Sequence, residues 1–447
     1  MGLSSRIAAA SLLLLGGAPH LAPRSAVAQI GAPVSSSVAR ETPLTLGDIY
    51  ATVERRSPRL RAAVALALAS ETRIAGARRP PDPTVQVGWM NYMLPEFGAD
   101  PALGMRQVQV MQMVPLPGKL SAAGDAAAAR AAVADARVAE VRWDLRAAAA
   151  TTFYARSAAL QQVAIASETR RLLEDVADIA AAMYRVGDGR QADVLRSRVE
   201  IARMDEEIVL MTVMGESALA RLAALVDLPP DSVAAPPMRP TFPDALPTRE
   251  EMEELALASR PMLAAGVAEA QAASAEVRFA SRERWPDFQV GVQYGERSTA
   301  MGTDRMGSVM VGASVPIWAR ARQVGLRREA IAMSAMAEAD LAEMRAATRG
   351  RVGEVHAELV SSRRLAVLYR ATILPQAEAA AEAALSSFRT GAVDLLTVIE
   401  NRLTINRYRM ELVALDAAEG RAWAELEMLA GQPLLAAAAV GRRERSR

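Results

Sequence analysis

Few side chains of this chain could do chemistry. Its 447 residues hold no cysteine and two histidines, which excludes disulfides, thiolate nucleophiles and Cys/His metal clusters. His20 falls within a predicted export signal. His356, in a run of helical character beside Glu354 and Glu358, reads as a solvated helix-face histidine rather than part of a catalytic triad. No convergent His or Cys set and no Gly-rich phosphate loop is present, so an enzyme is not expected, and no cofactor is implied. The remaining candidates are thioethers. Met111 and Met113 alternate in register with Gln107 and Gln109, and Met310 repeats the arrangement later. Thioethers can bind soft metals such as copper(I), but methionine is also an adaptable packing residue. With 21 methionines in the chain, packing is the favoured reading and no metal site is assigned.

These residues sit in strand-like stretches at about 84–94, 106–114, 287–295 and 308–315. In the third, Phe288, Val290, Val292 and Tyr294 alternate with Asp287, Gln289, Gly291 and Gln293. In the fourth, Val309, Val311, Ala313 and Val315 oppose Ser308, Met310, Gly312 and Ser314; in the first, Val85, Val87 and Trp89 oppose Gln86 and Gly88. A half-buried sheet on a soluble core alternates the same way. Strands of about ten residues also suit a tilted bilayer crossing. On that reading Gln86, Gln107, Gln109, Met111, Met113, Gln289, Gln293 and Met310 form the lumen face.

The strands are framed by a duplication. Gln86, Val87 and Gly88 return as Gln289, Val290 and Gly291; the strand end at Pro115 is answered at Pro316. YRVG ending at Gly187 returns as FRTG ending at Gly391, and LVDLP ending at Pro229 as LAGQP ending at Pro433. The period is roughly 200 residues, so one architectural unit occurs twice. Each unit reads as short helix, two strands, very long helix, turn and long helix. Between Leu120 and Tyr184 there is no proline, and Gly124 is the single glycine; a helix of that length spans about 100 Å. The helix after the turn and the short opening helix, laid end to end, cover nearly the same distance. One long helix therefore lies beside two shorter ones. Pro375 should kink the second long helix.

The predicted organisation is a signal peptide at 1–28, a flexible leader at 29–43, a first repeat at 44–228, a Pro-rich linker at 229–247, a second repeat at 248–433 and a tail at 434–447. Arg6, the apolar run at 7–15 and Ala26-Val27-Ala28 carry the export pattern. A lipidated N-terminus needs a cysteine and is not expected. A net charge of +1 argues against nucleic acid as the main partner. Lys119 is the only lysine, a bias attributed to genome composition. No later uninterrupted apolar stretch of about 20 residues replaces the signal as a helical anchor.

Four strands cannot close a membrane barrel alone, since open edges in lipid leave backbone groups unpaired. Three copies supply about twelve strands, within the range of outer-membrane barrels. The expected fold is mainly α with a small β part: two tandem repeats whose long α-helical hairpins build a tube of helices below a trimeric 12-stranded barrel.

The ordered elements, the VPLPGK and VPIWAR strand ends, LPQAEAA at 374–380 and the YRVG and FRTG turns resemble the TolC-like outer-membrane efflux proteins over about 44–433. The resemblance implies a homotrimeric exit channel of a tripartite pump, in the outer membrane with a large periplasmic part. A periplasmic adaptor and an inner-membrane pump are the implied partners, and a type I secretion duct is a variant. It places Tyr184, Gly187, Asp193, Leu195, Phe388, Gly391 and Leu395 at the periplasmic tip where the adaptor docks. It makes Asp394 a tunnel-gate candidate, with Glu400 as a second acid, because Thr397 stands where relatives can carry one. Ordinary helix caps are the alternative at both glycines and at Asp394. A periplasmic coiled-coil scaffold or adaptor that enters no membrane is the alternative function.

Overall fold

A computed structural model describes residues 43–93, 98–99, 104–299, 301–314, 317–318 and 321–435. The signal peptide, the leader up to Thr42, the strand end at Val315 and Pro316, and the tail beyond Leu435 lie outside the described residues.

Each repeat opens with a capped pair of helices. Thr45 and Asp48 form a reciprocal capping box at the start of α1 (Leu46–Arg56), and Thr248 and Glu251 do the same for α5 (Arg249–Ser259). Pro58 and Pro261 then start α2 (Pro58–Ala77) and α6 (Pro261–Arg282), because proline tolerates the first helical turn but cannot extend the helix before it. After the strands, α3 (Lys119–Arg185) runs unbroken for 67 residues, about 100 Å. It reverses into α4 (Gln191–Val226). In the second repeat α7 (Gln323–Leu368) passes through a π-helical turn at Tyr369–Ile373 into α8 (Leu374–Arg389), and α9 (Leu395–Ala430) returns. The second long helix thus covers the same number of residues as α3, and α4 and α9 are each 36 residues long. Pro375 has no N–H to give the preceding turn, and a π-helical turn lies directly before it.

The helices pack side by side. α2 and α4 line one side of α3, α6 and α9 its other side, and α7 packs beyond α6 and α9. The stacking of short helices end to end along a long one, expected from their lengths, is the observed arrangement. Close approach is local and specific: the ring of Tyr154 lies 2.4 Å from where a Cβ on Gly420 would sit, so α3 and α9 meet there only because that residue is glycine. Tyr154 belongs to a core with Ile49, Val53, Phe153, Leu222 and Val226. A second core joins Met252, Val355, Leu359, Trp423 and Leu426, and a third lies near the helix turns around Leu173, Met204, Phe388, Leu395 and Ile399. Among described helices α4 alone is long and apolar enough to cross a membrane. It lies along α3, and its uncovered edge carries Val199, Val209, Leu210, Val213 and Met214.

The linker is not free. β1 (Leu44–Thr45) pairs in parallel with β6 (Pro237–Met238). Buried Arg156 on α3 donates to the carbonyls of Val233, Ala234 and Ala235, and Arg363 on α7 to those of Pro243 and Asp244. His356 is half-buried, its Nε2 2.9 Å from the Pro247 carbonyl, rather than solvated on a helix face. Its ring ties α7 to the end of the linker.

The main sheet has four antiparallel strands in the order β2 (Thr84–Met90), β5 (Met105–Val114), β7 (Asp287–Thr299), β8 (Gly302–Ser314). A small pair, β3 (Tyr92–Met93) and β4 (Gly98–Ala99), extends the first hairpin. β7 and β8 run past the apolar alternation that ended the sequence reading at Gly295 and began it at Ser308. Cross-strand ion pairs Arg297–Asp304 and Glu296–Arg305 carry the ladder to a tight turn closed by Gly302 at φ +136°. Among the described residues, one edge of β2 and one edge of β8 have no strand beside them.

Candidate functional site

Register sorts the strand residues into two faces. On one, Thr84, Met111, Gly291 and Met310 form a row; Gln86, Gln109, Gln293 and Ser308 form the next; Gly88, Gln107, Gly295 and Met306 follow. Met113 and Gln289 stand together on the row before them. All eight residues expected on the lumen side therefore share one face, and the Gln293 amide donates to Gln107 Oε1. The other face carries Val85, Val87, Trp89, Val108, Val110, Val290, Val292, Tyr294, Val309 and Val311, all exposed. An exposed apolar face of that size on a sheet faces lipid or a partner, not water.

The far ends of the helices hold the second group of candidates. Gly187 and Gly391 have φ of +89° and +75°, and each closes a Schellman cap. Asp188 N–H donates to Met183 O at 3.0 Å in one, and Ala392 N–H to Ser387 O at 2.9 Å in the other. Nothing lies within 4 Å of the Cβ position of either glycine, so both caps border open space. Tyr184 and Leu195 are exposed and Asp193 is half-buried. Phe388 and Leu395, at 8% and 2% exposure, point into the core between the two hairpins and present no surface to a partner. They correct the docking assignment: the second hairpin packs against the first, so its apolar residues are consumed there.

Asp394 is the N-cap of α9. It accepts from Thr397 Oγ1 at 2.6 Å and from Thr397 N–H at 3.1 Å. These bonds, and the Arg190 cation nearby, hold its carboxyl below the usual aspartate range, so it is ionised at neutral pH. The repeat alignment set by Gly187 and Gly391 continues through this turn. α4 starts at Gln191 and α9 at Leu395, so the counterpart of Asp394 is Arg190, and Asp193 matches Thr397. Glu400 is exposed further along α9.

Sequence reading missed the joint between sheet and helices. Lys119 Nζ lies 2.8 Å from Asp287 Oδ1, with the lysine side chain 6% exposed and the aspartate 25%. The pair clamps the start of α3 in the first repeat to the start of β7 in the second. The signal was present, a single lysine among 52 basic residues.

The described residues thus form a helical layer carrying a four-stranded sheet with one exposed apolar face and one face of amides, thioethers and small residues. The model of the outer membrane efflux protein family matches residues 253–432. It is 28% identical over 329 residues to the cobalt-zinc-cadmium resistance protein CzcC of Cupriavidus metallidurans, covering 71% of this chain and 75% of that protein. Its fold is that of a membrane protein from Pseudomonas aeruginosa, with a TM-score of 0.75 at 16% identity over 87% of this chain and 90% of the other. The outer membrane protein VceC of Vibrio cholerae gives a TM-score of 0.70 at 19% identity, over 87% and 96% of the two chains.

Proposed function

We propose that three copies close into one 12-stranded barrel continuous with a helical tube, and that this is the exit duct of a tripartite pump. The observation that carries the reading is the pair of open sheet edges. Backbone groups along β2 and β8 must be paired within a bilayer, and β8 of one copy meeting β2 of the next satisfies both. The helices agree: the uncovered edges of α2 and α4, and of α7, bear Leu66, Leu68, Leu210, Val213, Ile331, Met333 and Met336. Contact between copies along those edges removes this surface from water.

In this assembly Tyr184, Gly187, Leu195 and Gly391 receive a periplasmic adaptor, and Asp394 with Glu400 lines the constriction. The open space over both glycines supports docking of a small partner side chain. Arg190 beside each Asp394 makes the constriction mixed in charge rather than purely acidic. Similarity to a cobalt-zinc-cadmium resistance protein favours divalent metal export by an RND-type pump over drug export or type I secretion.

The deciding experiment is the mass of the mature protein extracted by detergent from purified outer membranes. A trimer is expected. A monomer or dimer released without detergent refutes the duct and favours a periplasmic scaffold. Docking is tested separately by Gly187→Asn, since asparagine tolerates the left-handed backbone but fills the open space. Loss of efflux with an intact trimer supports docking; full efflux leaves Gly187 as a cap alone.

A further inference from the structure

We propose that Met111 and Met310 form a two-thioether site for a soft monovalent cation, silver(I) or copper(I), on the sheet face that includes Gln109 and Gln293. The proposal rests on the reading of that face as the channel wall. The two methionines stand on β5 and β8, the strands flanking β7, and both are paired in register with Gly291 between them. Strands two apart in a sheet are separated by about 9.6 Å, too far for two upright side chains to share one ion. Gly291 removes that obstacle. A Cβ there would lie 3.1 Å from Met111 Cγ and 3.5 Å from Met310 Cε, so both side chains lean in from opposite sides over the bare backbone. Metal–sulfur bonds of roughly 2.3 Å require two sulfurs about 5 Å apart across a linear centre, and both side chains lean toward each other over the glycine.

The surroundings suit a soft cation rather than a hard one. Rows on either side carry Gln109, Gln293 and Ser308, and Met113, Gln289 and Gly312, with no charged group among them. Among the described residues no group of three or more His, Cys, Asp or Glu side chains could hold a metal. Thioethers select soft ions over divalent zinc or cobalt, so this site is distinct from the divalent cargo proposed above. Two rows further along, Gly295 stands in register with Gln107 and Met306. Met105 from the adjacent Arg297 row reaches over it, its Sδ 2.9 Å from the Cβ position; only one methionine is in register there. Packing alone would also place methionine over glycine, but packing does not distinguish a thioether from an aliphatic chain of similar volume.

That difference is the test. Detergent-purified protein is titrated with silver nitrate in chloride-free buffer by calorimetry, with X-ray absorption at the silver edge. The wild type is expected to bind silver with sulfur-only coordination, and the Met111→Leu/Met310→Leu variant to lose one equivalent per chain. Gly291→Ala keeps both thioethers and is expected to weaken that equivalent by at least about tenfold, roughly 1.4 kcal/mol. Met333→Leu/Met336→Leu, on α7, should leave it unchanged. Equal silver binding by the wild type and the Met111→Leu/Met310→Leu variant overturns the site, as does absence of binding by the wild type. Bilayer conductance of the same preparations separates the two readings: pores without silver binding overturn the site alone, whereas no pores overturn the channel wall on which it rests.

Discussion

The Lys119–Asp287 clamp makes an asymmetric prediction. Removing one partner of a buried ion pair costs about 3–5 kcal/mol, mostly by stranding the other charge. Here the two strandings differ, because the lysine side chain is 6% exposed and the aspartate 25%. Asp287→Ala leaves an ammonium with almost no access to water, so a loss of about 3 kcal/mol is expected. Lys119→Met preserves the aliphatic stem and leaves a carboxylate that water reaches, so a loss of about 1–2 kcal/mol is expected. In the double variant no charge is stranded, and stability should recover to within about 1 kcal/mol of the wild type. The assay is guanidinium unfolding of the detergent-solubilised protein, followed by helical circular dichroism and by tryptophan fluorescence. Because Lys119 belongs to the first repeat and Asp287 to the second, both probes should shift together. If Lys119→Met proves as costly as Asp287→Ala, or the double variant is worse than either, the stranded-charge argument fails.

Arg156→Ala removes the donor for three linker carbonyls, and a loss of about 3 kcal/mol with faster proteolysis between residues 229 and 247 is expected; unchanged cleavage there would show that β1–β6 pairing alone holds the linker. Two glycines on equivalent helices should respond with opposite sign. Gly420→Ala drives a methyl into the Tyr154 ring and should cost about 1–3 kcal/mol, whereas Gly215→Ala meets only Ala159 Cβ at 3.5 Å and should gain about 0.5–1 kcal/mol in melting analysis. Glu427 is buried, and burial raises its carboxyl above the usual glutamate range. An acid raised in the folded state loses stability as pH climbs from the ordinary glutamate range through its folded value. Glu427→Gln, which keeps an acceptor for the Leu434 and Leu435 N–H groups, should gain on the wild type over that interval. Parallel melting-temperature curves between pH 4 and 8 would rule this out.

Much of the architecture was legible because its signals are local. Prolines at 58, 80, 81, 115, 261 and 375 punctuate the helices, and alternation in 84–90 and 287–295 marks the strands and assigns their faces. The duplication then fixed the order of elements across both halves. What escaped depends on pairing at long range. Two-residue strands such as β1 and β6 have no periodicity to detect. Whether Phe388 faces a partner or the neighbouring hairpin is set by how α8 packs on α9 and α9 on α3, which no helical period encodes. Lys119 was visible as a singleton, but its partner is 168 residues away.

Equal hairpin lengths have a consequence for symmetry. Both hairpins of the chain have long helices of the same residue count and returning helices of 36 residues. In the proposed trimer this gives six turns around the tube end, a sixfold outline generated by a threefold assembly. The disguise is one of shape only: the residue leading into the returning helix is Arg190 at one turn and Asp394 at the next. A ring of six identical partner subunits would find every seat the right shape, yet meet a cation and an anion in alternation. Such a ring must either relax into three pairs or read the end of the tube without regard to charge.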